Sequence, residues 1–144
     1  MSDVPARLLL DTHVWIWMVE DRQTQIAPRV VTEMDRASAR GRLLVSAISV
    51  WEVSMLQAKG RINLSLELEE WVRRGLTAPG VRLADLTPEV LVESTRLPGS
   101  VHGDPADRML IATARRIGAT LVTRDASILT YARDGFLAVL DATP

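Results

Sequence analysis

The sequence predicts an α/β fold of three layers, in which a mostly parallel central sheet of four to five strands is flanked by helices. Two observations lead to this fold class. Short apolar runs alternate along the chain with longer segments whose apolar residues recur at helical spacing. Strands separated by helices are typical of a parallel sheet covered on both faces. The 144 residues contain no repeat or linker, so we expect residues 1–144 to form a single domain.

The first part of the chain alternates between strand and helix. Residues 7–10 form a short apolar run, which predicts a buried strand. A short helix over 12–20 follows, and a second helix over 28–40 has a proline in its first turn and is stopped by Gly41. Residues 43–45 are the second apolar run, which predicts the next strand.

The middle of the chain repeats this alternation. Residues 46–59 carry apolar side chains at helical spacing, and the helix ends at a glycine. A helix over 66–76 begins near Ser65 and has acidic residues in its early turns. Residues 81–86 alternate between apolar and polar side chains, as in a strand, and a helix over 87–96 follows.

The last part of the chain contains the clearest helix. It covers residues 104–117, and Gly118 stops it. Residues 119–123 then form a strand, 126–131 a short helix and 137–140 a last strand.

Composition excludes several classes of protein and site. A net charge of -1 with 47% hydrophobic residues excludes a disordered chain. The absence of cysteine excludes disulfides, thiolate metal sites and a cysteine nucleophile. We find no signal peptide and no apolar run near the roughly 18–20 residues of a membrane span, so we expect a cytoplasmic protein without membrane contact. Because the net charge is close to zero, a nucleic-acid partner must be bound by local basic patches.

Two aspartates stand where ligands bind in such a sheet, at the carboxyl ends of strands. Asp11 follows the apolar run 8–10, and Asp125 follows the strand predicted over 119–123. Each can also be explained as the N-cap of the next helix, because aspartate is a favoured capping residue. The sequence leaves both roles open.

Three further acids belong to predicted helices. Glu52 lies on or near the apolar side of its helix, where a glutamate is rare without a partner, and the alternative is a flank position with its carboxylate in solvent. Asp104 has the pattern of an N-cap, with a proline after it and Asp107 three residues on. Asp107 is followed by apolar residues at helical spacing, so it points toward the packed side at the positive end of the helix.

Four acids from separate segments, Asp11, Glu52, Asp107 and Asp125, are therefore expected at one edge of the sheet. Two carboxylates about 4 Å apart repel by roughly 4 kcal/mol at an effective dielectric constant near 20. Either their pKa values rise or a divalent cation offsets the repulsion. Carboxylate oxygens suit Mg²⁺ or Mn²⁺, and an all-carboxylate site of this kind typically acts on phosphate esters.

Four segments, in this order, resemble the PIN domain, and most closely the VapC-type toxins of bacterial toxin–antitoxin pairs. They are LLLDTHV from Leu8, VSAISVWE from Val45, HGDPADRMLIA from His102 and LVTRD from Leu121. The likeness extends in order from about Leu8 to Leu140, which is nearly the whole chain. Each segment alone is a weak signal, whereas all four at this chain length are specific.

The resemblance implies a PIN-like fold and a Mg²⁺-dependent ribonuclease in which Mn²⁺ can substitute. The family's four catalytic and metal-binding acids correspond to Asp11, Glu52, Asp107 and Asp125, and Asp104 matches an additional acid of some branches. In the implied mechanism a water activated by the metal attacks the phosphorus in line, and no side-chain nucleophile is needed. The implied partners are an RNA substrate, a cognate antitoxin and a second copy of the chain in a homodimer.

Five other residues near these acids are candidates for a role. Thr123 matches a small hydroxyl residue of the family and is a candidate hydrogen-bond partner and substrate contact. Arg108 and Arg124 are candidates for binding a neighbouring phosphate through bidentate bonds, and the alternative for each is a surface arginine with a solvated head. His13 and His102 are candidates for a general base, a metal ligand or a substrate contact, and the alternatives are packed or surface side chains.

The four tryptophans all lie in predicted helices. They are Trp15, Trp17, Trp51 and Trp71. Most are expected in the core or at its edge. Methionines share the early helices with three of them, and an aromatic and methionine-rich groove suits a partner helix. We therefore expect part of this set to form the antitoxin groove or the dimer interface.

Other function classes fit the sequence less well. A phosphatase of the haloacid dehalogenase type needs a second aspartate two residues after the first, where this chain has His13. A phosphorylation receiver domain needs a lysine near the end of a late strand, and the only lysine is Lys59 in a mid-chain helix. A housekeeping RNA-processing nuclease and a non-catalytic binding module on the same fold stay open as alternatives.

Overall fold

The computed structural model describes residues 6–101 and 103–144. The strands are β1 (Leu8–Leu10), β2 (Leu43–Ser46), β3 (Val81–Ala84), β4 (Thr120–Thr123) and β5 (Val139–Asp141). The helices are α1 (Thr12–Val19), α2 (Pro28–Ala39), α3 (Ala47–Ala58), α4 (Leu68–Thr77), α5 (Pro88–Ser94), α6 (Pro105–Ile117) and α7 (Ala126–Ala132), with a turn of 3-10 helix at Gln23–Gln25. Within the described ranges no helix is long and apolar enough to span a membrane.

The five strands form one sheet in the order β3-β2-β1-β4-β5, and every neighbouring pair is parallel. The central strand is β1, whose Leu10 pairs with Val45 of β2 and with Val122 of β4. The carboxyl ends of these three strands therefore meet at one edge of the sheet. The predicted α/β fold class is confirmed, and the sheet is parallel throughout rather than mostly parallel.

The side chains of β1 are buried on both faces of the sheet, which explains why its sequence is a continuous apolar run. Leu8 and Leu10 belong to the core on one face, together with Trp15 of α1. Leu9 belongs to the core on the other face, together with Leu110 of α6. Successive side chains of a strand point to opposite faces, so three leucines supply both cores.

Helices α1 and α4 pack through a pair of tryptophans. The ring centroids of Trp15 and Trp71 lie 4.9 Å apart in an edge-to-face arrangement, and both side chains are fully buried. The indole N–H of Trp15 donates to the Gly75 carbonyl at 3.2 Å, and that of Trp71 donates to Glu20 at 3.0 Å. Buried indole groups need such partners, so α1 and α4 are fixed in register against each other.

The predicted elements are present, with shifts at their ends. The helix predicted to begin near Ser65 begins at Leu68, because both the N–H and the hydroxyl of Ser65 donate to the carboxylate of Glu20. Glu67 caps α4 instead, since its carboxylate accepts the backbone N–H three residues on. The last strand begins two residues later than predicted.

Candidate functional site

The strand order determines which of the predicted acids become neighbours. Asp11 directly follows β1, and Asp125 follows β4 after one intervening residue. Glu52 lies in the second turn of α3, the helix that leaves β2. Helix α6, which carries Asp107 in its first turn, packs against α3. All four segments thus converge on the carboxyl edge of the sheet, where parallel α/β folds bind ligands.

Asp11 is the most enclosed acid among the described residues, with 8% of its surface exposed. Its Oδ1 accepts the backbone N–H of Thr12 at 2.8 Å, and its Oδ2 accepts the hydroxyl of Thr123 at 2.6 Å. Burial raises the pKa of Asp11, the two hydrogen bonds and the nearby His13 oppose that rise, and the charge of Asp125 adds to it. Ionisation of Asp11 therefore raises the free energy of the folded protein, and a nearby positive charge would stabilise the ionised carboxylate.

Thr123 joins Asp11 to Asp125. Its hydroxyl donates to Asp11, and the same oxygen accepts the backbone N–H of Asp125 at 2.9 Å. Asp125 also caps α7, because its carboxylate accepts the backbone N–H of Ile128 at 3.0 Å. Thr123 is fully buried, so its hydroxyl positions the acid of β1. The capping role of Asp125 and its place at the site edge are compatible.

Glu52 is half-buried, and a threonine hydroxyl fixes its carboxylate. The Oγ1 of Thr12 donates to Glu52 Oε1 at 2.5 Å and lies 2.9 Å from the hydroxyl of Ser49. Burial is the main cause of a raised pKa at Glu52, the Thr12 bond lowers it, and the charges of Asp11 and Asp104 raise it further. The carboxylate thus lies at the site edge and interacts with other acids there.

Asp104 is the N-cap that the sequence predicted, and its charge also acts on the site. It caps α6, since its Oδ1 accepts the backbone N–H of Asp107 at 3.0 Å. It also lies close enough to Glu52 for its negative charge to raise the pKa of that residue. Asp107 is partly buried in the first turn of α6. A metal-binding role for Asp104 stays a prediction.

The side chains at this edge are of the chemical type that binds a hard divalent cation. Its side chains are carboxylates, and the pKa values of two of them are raised, which a bound cation would offset. Within residues 6–101 and 103–144, however, no three acidic or histidine side chains stand close enough together to hold a metal ion. Instead, threonine hydroxyls donate hydrogen bonds to the carboxylates of Asp11 and Glu52. Metal binding by Asp11, Glu52, Asp107 and Asp125 therefore stays a prediction.

The two candidate arginines differ in their surroundings. The guanidinium of Arg108 donates to the main-chain carbonyls of Ser94 at 2.8 Å and Val101 at 3.3 Å, so it fixes the segment before α6. Arg124 follows β4 directly and lies beside the acids, where its Nη1 donates to both oxygens of Gln25 at 3.0 Å. Binding of RNA by either arginine stays a prediction.

The aromatic candidates divide between core and surface. Trp15 and Trp71 are fully buried, whereas Trp51 is 57% exposed beside Glu52 in the sequence. Trp17 is half-buried, and its ring centroid lies 5.9 Å from that of the exposed His13. His102 lies outside the described residues. A partner role for the tryptophans thus concerns only Trp17 and Trp51.

A cleft opens beside the acids at the carboxyl edge, with a volume of about 420 Å³. It is formed by side chains from α1, from the 3-10 turn and from the segment after β4. Its lining residues are Asp11, His13, Val14, Trp17, Gln25, Arg124 and Asp125.

Three residues of the site were missed by reasoning from the sequence. Thr12 is adjacent to Asp11, and Ser49 lies one helical turn before Glu52. Their positions next to candidate acids could have identified both hydroxyl residues from the sequence. Gln25 gave no such signal, because it contacts Arg124, which is 99 residues away in the sequence. Only the fold brings that pair together.

Comparison with known proteins gives a consistent result. The family described as PIN domain matches residues 8–134. The chain is 34% identical over 126 residues to Ribonuclease VapC22 of Mycobacterium tuberculosis, with 86% of this chain and 91% of that protein covered. Its fold is similar to VapBC2 from Rickettsia felis bound to a promoter DNA fragment, with a TM-score of 0.67 and 13% identity, covering 94% of this chain and 98% of that one. It is also similar to a toxin–antitoxin complex from Klebsiella pneumoniae, with a TM-score of 0.58 and 17% identity, covering 92% of this chain and 95% of that one.

Proposed function

We propose that this chain, which belongs to the PIN domain family, is a Mg²⁺-dependent endoribonuclease and the toxin of a toxin–antitoxin pair. The observation that carries the proposal is the pair Asp11 and Glu52, two carboxyl groups with raised pKa values at the carboxyl edge of the sheet. Carboxyl groups whose pKa values are shifted by burial and by the charge of a neighbouring acid are typical of functional sites. The curated relative is a ribonuclease by name, which supports RNA as the substrate.

In the proposed mechanism the chain's own acids and hydroxyls build the site. Asp11, Glu52 and Asp107 would hold the cation, directly or through water, and Asp125 would complete the acidic cluster. When bound, Mg²⁺ or Mn²⁺ would lower the pKa of a water and offset negative charge at the scissile phosphate. The threonine hydroxyls that donate to Asp11 and Glu52 keep these two carboxylates in fixed orientations. No side chain is required as a nucleophile.

A protein antitoxin is the proposed partner that silences the nuclease. The solved structure from Klebsiella pneumoniae is a toxin–antitoxin complex, which supports this partner. Such an inhibitor would protect the RNA of the cell from cleavage by the toxin, and the proposed site of this activity is the cytoplasm.

A homodimer is the proposed assembly. Several large apolar side chains are exposed on α3, β3 and α5, and exposed apolar surface is enriched where subunits meet. They are Trp51, Leu83, Leu91 and Val92. β3 is also an edge strand, with one side unpaired in the described sheet. A second copy of the chain would cover such a surface.

The purified chain is expected to cleave single-stranded RNA with Mg²⁺ or Mn²⁺ and to lose at least about 100-fold in rate with EDTA, since the cation supplies the activated water. Returning Mg²⁺ in excess should restore the rate. Electrophoresis of a labelled RNA would follow the cleavage. An Asp134→Asn variant, purified in the same way, is the control, because Asp134 is an exposed acid after the C-terminal end of α7. Cleavage that persists in EDTA would contradict the proposal.

A Thr12→Val variant is expected to lose roughly 10- to 100-fold in cleavage rate at neutral pH. The hydroxyl of Thr12 lowers the pKa of Glu52, so its loss raises that pKa further. Protons and metal ions compete for the same carboxylate, and the acid limb of the pH–rate profile should therefore move to higher pH. Thr12→Ser keeps the hydroxyl and is the matched control. An acid limb at the same pH in Val and Ser variants would refute the role of Thr12.

A further inference from the structure

The cleft beside Asp11 and Asp125 has a lining that differs from the acidic site next to it. Its other polar side chains are an imidazole, an amide and a guanidinium, and its aromatic side chain is Trp17. The volume of about 420 Å³ lies within the roughly 300–1,000 Å³ of sites that bind small ligands. The cleft can therefore accommodate one group of nucleotide size directly beside the acids.

Arg124 is held in a defined position within this cleft. Its guanidinium carbon lies 5.1 Å from the ring centroid of Trp17, which places the cation over the indole face. Its Nη1 donates to the main-chain and side-chain oxygens of Gln25, both at 3.0 Å. Among the described residues these contacts use the two protons of Nη1, so Nε and Nη2 keep their protons for a ligand. The fixed fork suits bidentate binding of a phosphate.

Within the cleft lining, Arg124 is the side chain whose permanent charge attracts an RNA phosphate. The neighbouring carboxylates of Asp11 and Asp125 repel a polyanion, whereas Arg124 is the permanent cation of the cleft lining. The layered pair of Trp17 and Arg124 presents a flat surface, and unpaired bases stack on aromatic rings and on guanidinium planes. Bases inside a duplex are not accessible for such stacking.

We propose that this cleft is a subsite for one unpaired nucleotide next to the scissile phosphate, and this inference rests on the proposed ribonuclease function. Arg124 binds the phosphate of that nucleotide, and its base stacks on the Trp17–Arg124 layer. Trp17 and Gln25 act as positioning residues for the guanidinium.

The test measures RNA binding separately from cleavage. A fluorescently labelled single-stranded RNA of mixed sequence is titrated with the full chain in EDTA at low salt, and anisotropy gives the Kd. Trp17→Leu and Arg124→Lys are each expected to weaken binding by roughly 5- to 100-fold. Because the two side chains act as one layer, the Kd of the double variant should exceed that of the weaker-binding single variant by no more than about twofold. The matched control is Arg133→Lys, an exposed arginine outside the cleft lining, which should bind as the wild type does.

A set of RNAs that each carry one abasic position tests the stacking role. The wild type should lose affinity at one abasic position, and Trp17→Leu should show no further loss there. Trp17→Tyr keeps an aromatic ring and should retain most of the affinity, which distinguishes stacking from a general loss of folding. A duplex of the same sequence should compete poorly for binding.

The outcomes separate the two proposals. Unchanged Kd values in Trp17→Leu and Arg124→Lys, or a wild type that binds no RNA, would overturn the subsite. A chain that shows the expected binding pattern in EDTA but cleaves no RNA with Mg²⁺ would overturn the nuclease proposal and leave the subsite supported.

Discussion

An Asp11→Asn variant is expected to lose RNA cleavage by at least about 10³-fold while keeping its fold. Asp11 lies at the centre of the carboxyl edge, and both of its carboxylate oxygens accept hydrogen bonds. Asparagine has the same shape but lacks the negative charge that holds a cation. The amide can donate to the oxygen of Thr123, whose hydroxyl proton then loses Asp11 as its acceptor. Single-turnover cleavage of a labelled RNA measures the loss, and Asp134→Asn, which changes an exposed acid after α7, is again the control variant.

The same substitution should stabilise the metal-free protein. Burial raises the pKa of Asp11 above 3.8, so the folded state binds more protons than the unfolded state between 3.8 and the raised pKa. The stability of the wild type therefore falls as the pH rises through that window, and at neutral pH the ionised Asp11 is a cost. We expect Asp11→Asn to raise Tm at pH 7 in EDTA, and the gain should shrink as the pH falls toward 3.8.

With added Mg²⁺ the wild type should have the higher Tm of the two proteins, whereas in EDTA Asp11→Asn should have it. Mg²⁺ raises the Tm of the wild type by mass action, because the folded site binds the ion, and it has little effect on Asp11→Asn. Differential scanning calorimetry with and without Mg²⁺ gives both values. A Tm for Asp11→Asn below that of the wild type in EDTA would contradict a repulsive acidic cluster.

The fold was predictable because each element is specified by local sequence. Short apolar runs such as 8–10 indicate strands buried on both faces, and Gly118, which adopts a φ of +67°, ends α6 where the pattern stops. The start of α4 was not predictable in this way, because it depends on the distant carboxylate of Glu20 that engages Ser65. Long-range contacts of this kind shift element boundaries without changing the fold.

The candidate site was predictable in its acids and, through the family resemblance, in Thr123 as a hydrogen-bond partner. Asp11 and Asp125 follow strands, so the topology of a parallel sheet places them at one edge without any knowledge of side-chain contacts. The hydroxyls that hold the acids, and the pairing of Gln25 with Arg124, join residues far apart in the sequence. Their geometry depends on the packing of α1 against α3 and on the position of the 3-10 turn, neither of which periodicity reveals.

A Gly80→Ala variant is expected to lose at least about 3 kcal/mol of folding stability, which corresponds to a fall in Tm of roughly 10 °C. Gly80 precedes β3 and has a φ of +80°, a left-handed conformation that alanine adopts only with strain. A Cβ there would lie 1.8 Å from the carbonyl oxygen of Ser38, which is main chain and cannot rotate away. The Gly80 carbonyl also accepts the N–H of Leu43, so a shift would disturb the pairing of β2 with β3.

The matched control for Gly80→Ala is Gly135→Ala. Gly135 has a φ of +86°, but a Cβ there would meet nothing within 4 Å, so the variant carries the backbone strain without the steric clash. We expect it to lose only about 1 kcal/mol. The difference between the two variants in denaturant unfolding therefore measures the contact between the residue before β3 and the end of α2. Equal losses would show that β3 can move away from α2 without cost, and the close approach at Ser38 would then not fix the edge of the sheet.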